Sequence, residues 1–382
     1  MNFSRASLCL FVVLVSGLAQ AAAAGRLFDR HREYRAGVRP TWLAPGDFDE
    51  DGVPDFAVGD PYEDRVWLLR GVADGSFVGG QMIVPDMSQA YVELTGGVVS
   101  GDFNADGHAD IALALQQPFL YKQGPDLVQV FYGTGRMTFA LGDTLAVGDY
   151  PTAMLADDLD GNGTLDLAVF DYETTDVALL RGLGADGFLP AEFLEVTRPG
   201  YNIRSGDLDG DGRKDLVVSH VDPFLSILTG NADGTFAPAQ QVPLSVPTAH
   251  GLLVADLDVD GRDDLAVSHV DTDQILVLLN RTDPAGLLRF ADPVSYGTKS
   301  PTDLLAADLD RDGILDVGVG AIGSDAVAIL PGRGNGLFGR AGTYKVGNGP
   351  QDIEAADLNG DGLLDLVTAG FGSGSISVLL GR

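Results

Sequence analysis

A nine-residue pattern of carboxylates, D-x-[DN]-x-[DN]-G-x-x-D, recurs seven times along the chain. Positions one, three, five and nine hold Asp47, Asp49, Asp51 and Asp55 in the first copy, Asp102, Asn104, Asp106 and Asp110 in the second, and Asp158, Asp160, Asn162 and Asp166 in the third. The later copies supply Asp207, Asp209, Asp211 and Asp215, then Asp256, Asp258, Asp260 and Asp264, then Asp308, Asp310, Asp312 and Asp316, and last Asp357, Asn359, Asp361 and Asp365. Side-chain oxygens at such spacing, with a glycine at position six to permit a left-handed turn, wrap a loop around a hard divalent cation. The backbone carbonyl at position seven adds an oxygen, from Val53, His108, Thr164, Arg213, Arg262, Ile314 and Leu363. This is the donor set of Ca²⁺, with up to seven ions, one per copy. An EF-hand needs a glutamate at position twelve, and those places hold Val58, Leu113, Val169, Val218, Val267, Val319 and Thr368. One acidic Asp-Gly turn would read as a solvated hairpin. Seven copies invariant at positions one, six and nine do not. Asn104, Asn162 and Asn359 each replace a charged ligand by a neutral one, so their loops are expected to bind more weakly.

The elements that must carry these loops follow from their spacing. The copies begin at Asp47, Asp102, Asp158, Asp207, Asp256, Asp308 and Asp357, a period near fifty that marks a repeat architecture. Each copy follows a short apolar stretch such as Leu304-Leu305-Ala306-Ala307 and precedes others such as Leu216-Val217-Val218, with a Gly-rich hairpin of the type GNADGTF completing the unit. Such runs, separated by Gly, Asp, Asn and Pro, read as strands and tight turns. A four-stranded antiparallel unit cannot bury both faces of its own sheet, so seven of them pack around an axis. The expected fold is all-β, a seven-bladed β-propeller. The segment LFDRHREYRAGVRP (27–40) aligns without a gap on LFGRAGTYKVGNGP (337–350), yet it precedes the first repeat. It is therefore expected to supply the outer strand missing from the last blade, through residues 32–36, and to close the ring.

Composition narrows the setting. With 24 Lys+Arg against 55 Asp+Glu the formal charge is −31, which makes nucleic acid a poor partner. Arg5, the apolar run from Leu8 to Leu18 and the small residues Ala19 to Ala24 read as a secretory signal peptide over 1–24, leaving 25–382 as a single domain. The apolar run is short for a membrane span and no other stretch approaches one, so no membrane insertion is expected. The protein is expected to be secreted or periplasmic and monomeric. Cys9, the only cysteine, falls within the leader, so neither disulfides nor thiol chemistry is expected.

With these residues in place, the chain resembles the FG-GAP/VCBS repeat family, whose best-known member is the N-terminal propeller of integrin α subunits. DGVPDFAVGDP (51–61) is similar to the FG-GAP core, and the resemblance extends over the whole mature chain. It implies calcium loops between the first and second strands of each blade, on a lower face, and ligands met on the opposite face. Nothing resembles the rest of an integrin. Mapped onto that topology, the upper face carries Arg39, Tyr62, Tyr150, Tyr172, Tyr201, His220, Phe224, His250, His269, Lys299 and Phe371. Aromatic faces beside polar groups suit an extracellular glycan or protein ligand, and they serve equally as ordinary loop chemistry.

The SHVD segments at 219–222 and 268–271 lie in identical register, so His220 and His269 are either an acid–base or metal pair or the trace of a duplicated blade. The leading expectation is a binding or adhesion module without catalysis. The alternative is a polysaccharide-active enzyme, of lyase or hydrolase type, using those histidines. Other catalytic signatures are missing, and GNGLFG (334–339) aligns with the hairpins rather than with a dinucleotide loop. The sequon at Asn162 falls inside a calcium loop, and that at Asn280 is expected on an exposed hairpin.

Overall fold

The computed structural model describes residues 27–87, 92–118, 122, 124–246, 250–283 and 286–382; the expected leader lies outside them. Seven four-stranded antiparallel sheets are present among these residues, each built from consecutive strands except one. Blade 1 runs Trp42–Gly46, Asp55–Asp60, Arg65–Val72 and Ser76–Ile83, and the nine-residue motif fills the gap between its first two strands. The same grammar repeats through blade 6, which ends with the outer strand Gly342–Lys345.

Blade 7 takes Pro350–Ala356, Asp365–Gly370 and Ser375–Leu379 from the chain's end and its outer strand, Arg32–Arg35, from the beginning. Arg32 pairs with Val378 and Arg35 with Ser375. The N-terminal strand thus closes the ring. A second tie lies just before it, where Phe28 bridges Gly381 as Phe338 bridges Gly332 in the preceding blade. The closure leaves no blade with an unpaired third strand.

Burial explains which strands are apolar throughout. Second strands such as Asp55–Asp60 and Asp215–His220 are buried at every residue, because a neighbouring blade covers each face of the sheet. Outer strands such as Glu192–Glu195 are mostly exposed. The core is accordingly a series of clusters between blades. One joins Val367, Ala369, Ile376 and Val378 of blade 7 to Leu43, Phe56 and Val58 of blade 1, so the closing seam is packed like the others. Each fully buried aliphatic side chain there contributes about 1.5–3 kcal/mol.

In every blade the motif loop, and in blades 1 to 6 the hairpin between third and fourth strands, project from one end, which we call the lower face. The turns between second and third strands and the links between blades form the upper face. Among the described residues no helix is long and apolar enough to cross a membrane.

Candidate functional site

The lower-face loops are built by their own aspartates. In blade 1 the first carboxylate accepts the N–H groups of positions five and six, Asp51 to Oδ1 at 3.1 Å and Gly52 to Oδ2 at 3.0 Å. Asp49 Oδ1 also accepts from Asp51 N–H, and Asp51 Oδ1 accepts from Val53 N–H. Blades 2, 3, 4, 6 and 7 repeat this set, for example from Asp308 to Ile314. Such turns hold the carboxylates of positions one, three and five on the inside of the loop. The glycine at position six takes φ between 78° and 93° in all copies. Position four is left-handed too, and there Glu50, Ala105, Val259 and Arg311 stand without being glycine. Val259 is the most strained of them, being β-branched at φ 61°.

Carboxylate oxygens converge within 4.8 Å of one another in five blades, with Asp47, Asp49 and Asp55 in the first and their counterparts in blades 3, 4 and 6. In blade 5 the convergent set is Asp256, Asp258 and Asp260. Ligands about 2.4 Å from a central Ca²⁺ lie no more than about 4.8 Å apart, so the donor set and its spacing fit a hard divalent cation.

The ninth-position aspartate has a second task. Asp55 is fully buried, with Oδ2 accepting from Phe48 N–H at 2.8 Å and Oδ1 from Gly71 N–H at 2.7 Å. Asp215 does the same for Leu208 and Gly230, and Asp365 for Leu358 and Gly381. Each therefore clamps the motif loop to the end of the third strand. Burial lifts these carboxyls to about 6, and Asp264 to about 7, against the downward pull of the two N–H groups.

Basic side chains also enter several loops. Arg70 reaches Asp49 and Asp51 at 3.3 and 3.4 Å, and Arg181 reaches Asp160 and Asp166 at 3.6 and 3.4 Å. Arg213 pairs with Asp211, Arg262 with Asp260 at 2.7 Å, and Arg281 with Asp258 at 2.8 Å. His108 meets Glu50 from the blade before it.

On the upper face, two separate groups form. Arg39 lies between Tyr62 and Phe371, 4.8 and 5.1 Å from their ring centroids, joining blades 1 and 7. Across blades 3 to 5 a row runs from Tyr150 to Tyr172 at 5.8 Å, on to Tyr201 at 6.4 Å, and to His250, stacked on Tyr201 at 4.9 Å. Tyr201 and His250 stand six residues before their motifs, where Thr41, Thr152, Thr302 and Gln351 stand in other blades. Lys299 is tied to Asp273 at 2.5 Å.

His220 and His269 do not join that surface. Both end buried second strands, thirteen residues after the motif start, where blades 1 and 3 carry the equally buried Asp60 and Asp171. Side chains in this column anchor the upper links: Asp60 accepts from Val38 and Arg39 N–H, and Asp171 from Gly148 N–H. His220 donates from Nδ1 to Arg198 O at 3.0 Å, while Nε2 accepts from Ser226 Oγ at 2.8 Å, and Phe224 packs on the ring at 4.7 Å. His269 Nδ1 accepts from Thr272 N–H at 3.1 Å. The repeated SHVD therefore marks a repeated place in the fold, filled with different hydrogen bonds. Burial holds the imidazoles of His220 and His250 below their usual range, so both are neutral near pH 7.

A further correction concerns Asn280, expected on an exposed hairpin. It is fully buried and its Nδ2 donates to Leu208 O and Asp263 O at 2.7 and 2.8 Å, which leaves the amide inaccessible to a glycosyl donor.

Sequence reasoning did not single out the axial charges. Arg204 of blade 4 meets Asp303 of blade 6 at 3.1 Å, and Asp352 of blade 7 accepts from Leu43 N–H of blade 1 at 2.7 Å. Burial, then the Asp303 charge, pushes Glu354 up to about 7. All of these lie on first strands, in columns that are apolar or small in the other blades except for Asn202 of blade 4, and that contrast is the signal that could have found them.

Comparison with known proteins bears on the fold. The structure is similar to that of BBS1N in its complex with ARL6DN, with a TM-score of 0.63 and 11% identity over 93% of this chain and 97% of that one. It is also similar to the periplasmic gluconolactonase PpgL of Pseudomonas aeruginosa, with a TM-score of 0.56 and 15% identity over 84% and 88% of the two chains. At such identities the likeness is one of architecture. No curated protein sequence matches. The FG-GAP-like repeat pattern matches residues 47–113, 102–169, 158–218, 207–267, 256–319 and 308–368, each match running from one motif through the next. These matches cover most of a chain already seen to be seven such blades, and the chain belongs to the FG-GAP-like repeat family.

Proposed function

We propose that this is an exported propeller stabilised by Ca²⁺ in its lower loops, and that it binds an extracellular glycan or protein on its upper face without transforming it. The observation that carries the reading is the division of the molecule into two chemically distinct ends. Convergent all-oxygen donor sets occupy one, and exposed or half-buried aromatic side chains occupy the other. When bound, the ion would supply positive charge to loops that otherwise hold several carboxylates in contact. Asp47, Asp49, Asp51, Asp55 and the Val53 carbonyl would hold it in blade 1, and the corresponding residues in the others. The chain's own part is to keep those oxygens converged, through the N–H groups of positions five, six and seven.

Protein binding has a parallel in BBS1N, which is seen in complex with ARL6DN. Burial of both His220 and His269 counts against the acid–base pair on which an enzymatic reading would rest. The test is a glycan array probed with the calcium-loaded protein, followed by a search for product with every hit. Binding without product, reduced by Tyr201→Ala or His250→Ala, is the expected result. Turnover of a bound saccharide would overturn the non-catalytic part of the proposal, and binding untouched by substitutions anywhere on the upper face would overturn its location.

A further inference from the structure

We infer that the upper rim between blades 7 and 1 is a subsite for a uronic acid residue of an anionic saccharide, with Arg39 as the carboxylate receptor. The inference rests on the proposed upper-face binding and narrows its chemistry. In a chain of formal charge −31, Arg35 and Arg39 are exposed side chains that have no ion-pair partner among the described residues. Arg39 is also held in place. Its guanidinium lies over the rings of Tyr62 and Phe371, which cover it on those sides, while the side chain stays exposed to solvent. A planar fork of this kind matches a carboxylate through two parallel hydrogen bonds.

The surroundings suit a sugar ring. A shallow depression of about 480 Å³ walled by Glu33, Arg35, Gly37, Val38 and residues 372–375 adjoins the clamp along the chain, with Arg39, Tyr62 and Phe371 next to it rather than in its walls. Val38 and Gly372 are the chain neighbours of Arg39 and Phe371. Ligand sites of small molecules start at about 300 Å³, so one or two pyranose units fit. Tyr62 is 63% exposed and offers a ring face for the apolar side of a pyranose. Glu33, its Oε2 already accepting from Ser375 Oγ at 3.0 Å, can accept from a sugar hydroxyl.

An extended acidic peptide fits less well. Strand addition needs free backbone donors, but Ala36 N–H donates to Gly374 O, and Val38 and Arg39 N–H both donate to Asp60 Oδ2. At Ala36, Val38 and Arg39 recognition must therefore come from side chains.

The experiment is calorimetric titration of the full chain, at fixed calcium, with trigalacturonate and with the same trisaccharide methyl-esterified at its carboxyls. The acid should bind, should weaken as salt is raised, and should bind at least tenfold more tightly than the ester. Arg39→Gln should reduce acid binding at least tenfold with an unchanged melting temperature, while Arg333→Gln, on the lower-face hairpin of blade 6, leaves it unaltered. If Arg39→Gln does not fold, Arg35→Gln takes its place, with a loss of threefold or more expected. Equal binding of acid and ester, no binding of either, or full affinity in the arginine variant overturns the inference, as does tighter competition by an acidic peptide. Should a neutral glycan or a protein bind and lose affinity with Tyr201→Ala but not with Arg39→Gln, the upper-face reading survives and this subsite falls.

Discussion

Asp215 and Asp209 belong to the same motif but hold different things. Asp215 accepts two buried N–H groups, from Leu208 and Gly230, whereas Asp209 Oδ1 accepts only from Asp211 within the exposed loop. Leaving a buried donor unsatisfied costs about 1–3 kcal/mol, so Asp215→Ala should lose on the order of 3 kcal/mol even in EDTA, and more in calcium, where a ligand of the ion goes with it. Asp209→Ala should lose stability chiefly in calcium. Denaturant midpoints of both variants in both buffers check this, and equal behaviour of the two would refute the clamp. Glu354 gives a test by pH. Its folded-state pKa, raised to about 7 by burial and by Asp303, lies above the ordinary 4.5, so the folded chain holds the proton more strongly than the unfolded one. The stability this group lends is present below about pH 4.5 and lost as pH rises through 7. Glu354→Gln should flatten that part of the melting-temperature profile between pH 5 and 8, and a profile parallel to the parent's would show the residue to be solvated. The carboxylates of the motif were legible from their types and spacing. The burial of His220 was not, because its partners Arg198 and Ser226 come from a link and a strand that nothing in the local sequence assigns to it.

At the scale of elements, the closing strand is the one most dependent on its partner. Arg32–Arg35 is mostly exposed and four residues long, held by pairing to Ser375–Leu379, by the Phe28–Gly381 bridge and by Tyr34 packed edge-on to Phe77 at 5.6 Å. Removal of residues 26–37 should therefore lower the melting temperature of the whole propeller, since it strips blade 7 to three strands and uncovers a fully buried third strand. Self-association through that edge should appear in size-exclusion chromatography. A truncated protein that melts with the intact one and stays monodisperse would show the strand to be dispensable. This element could be read from the sequence because LFDRHREYRAGVRP repeats the pattern of an outer strand before any blade has begun. The axial meeting of Arg204 with Asp303 could not, since it depends on first strands almost a hundred residues apart facing one axis.

Across the whole molecule, the seven loops share a face but not an electrostatic setting. Blade 6 converges Asp308, Asp310 and Asp316, with no ion-pair partner in its loop among the described residues. Blade 5 carries its own cations, Arg281 on Asp258 and Asp260 and Arg262 on Asp260. A guanidinium about 4 Å from a carboxylate interacts by about 4 kcal/mol at an effective dielectric near 20, an attraction the entering ion must displace and a charge it must tolerate. Calcium should therefore fill blade 6 early and blade 5 late. At tenfold excess over its dissociation constant each site adds about 1.4 kcal/mol, so seven would add about 10 kcal/mol, comparable with the whole stability of an ordinary domain. Chelation should lower the melting temperature markedly, and native mass spectrometry across a calcium titration should show stepwise rather than concerted filling. Asp308→Ala with Asp312→Ala should abolish the earliest ion, while Arg281→Ala with Arg262→Ala should move the last one to lower calcium. Identical melting curves in EDTA and in millimolar calcium, with no ion bound, would remove the metal from the account. Seven ions entering at one concentration would instead retain the metal and reject the role assigned to the arginines.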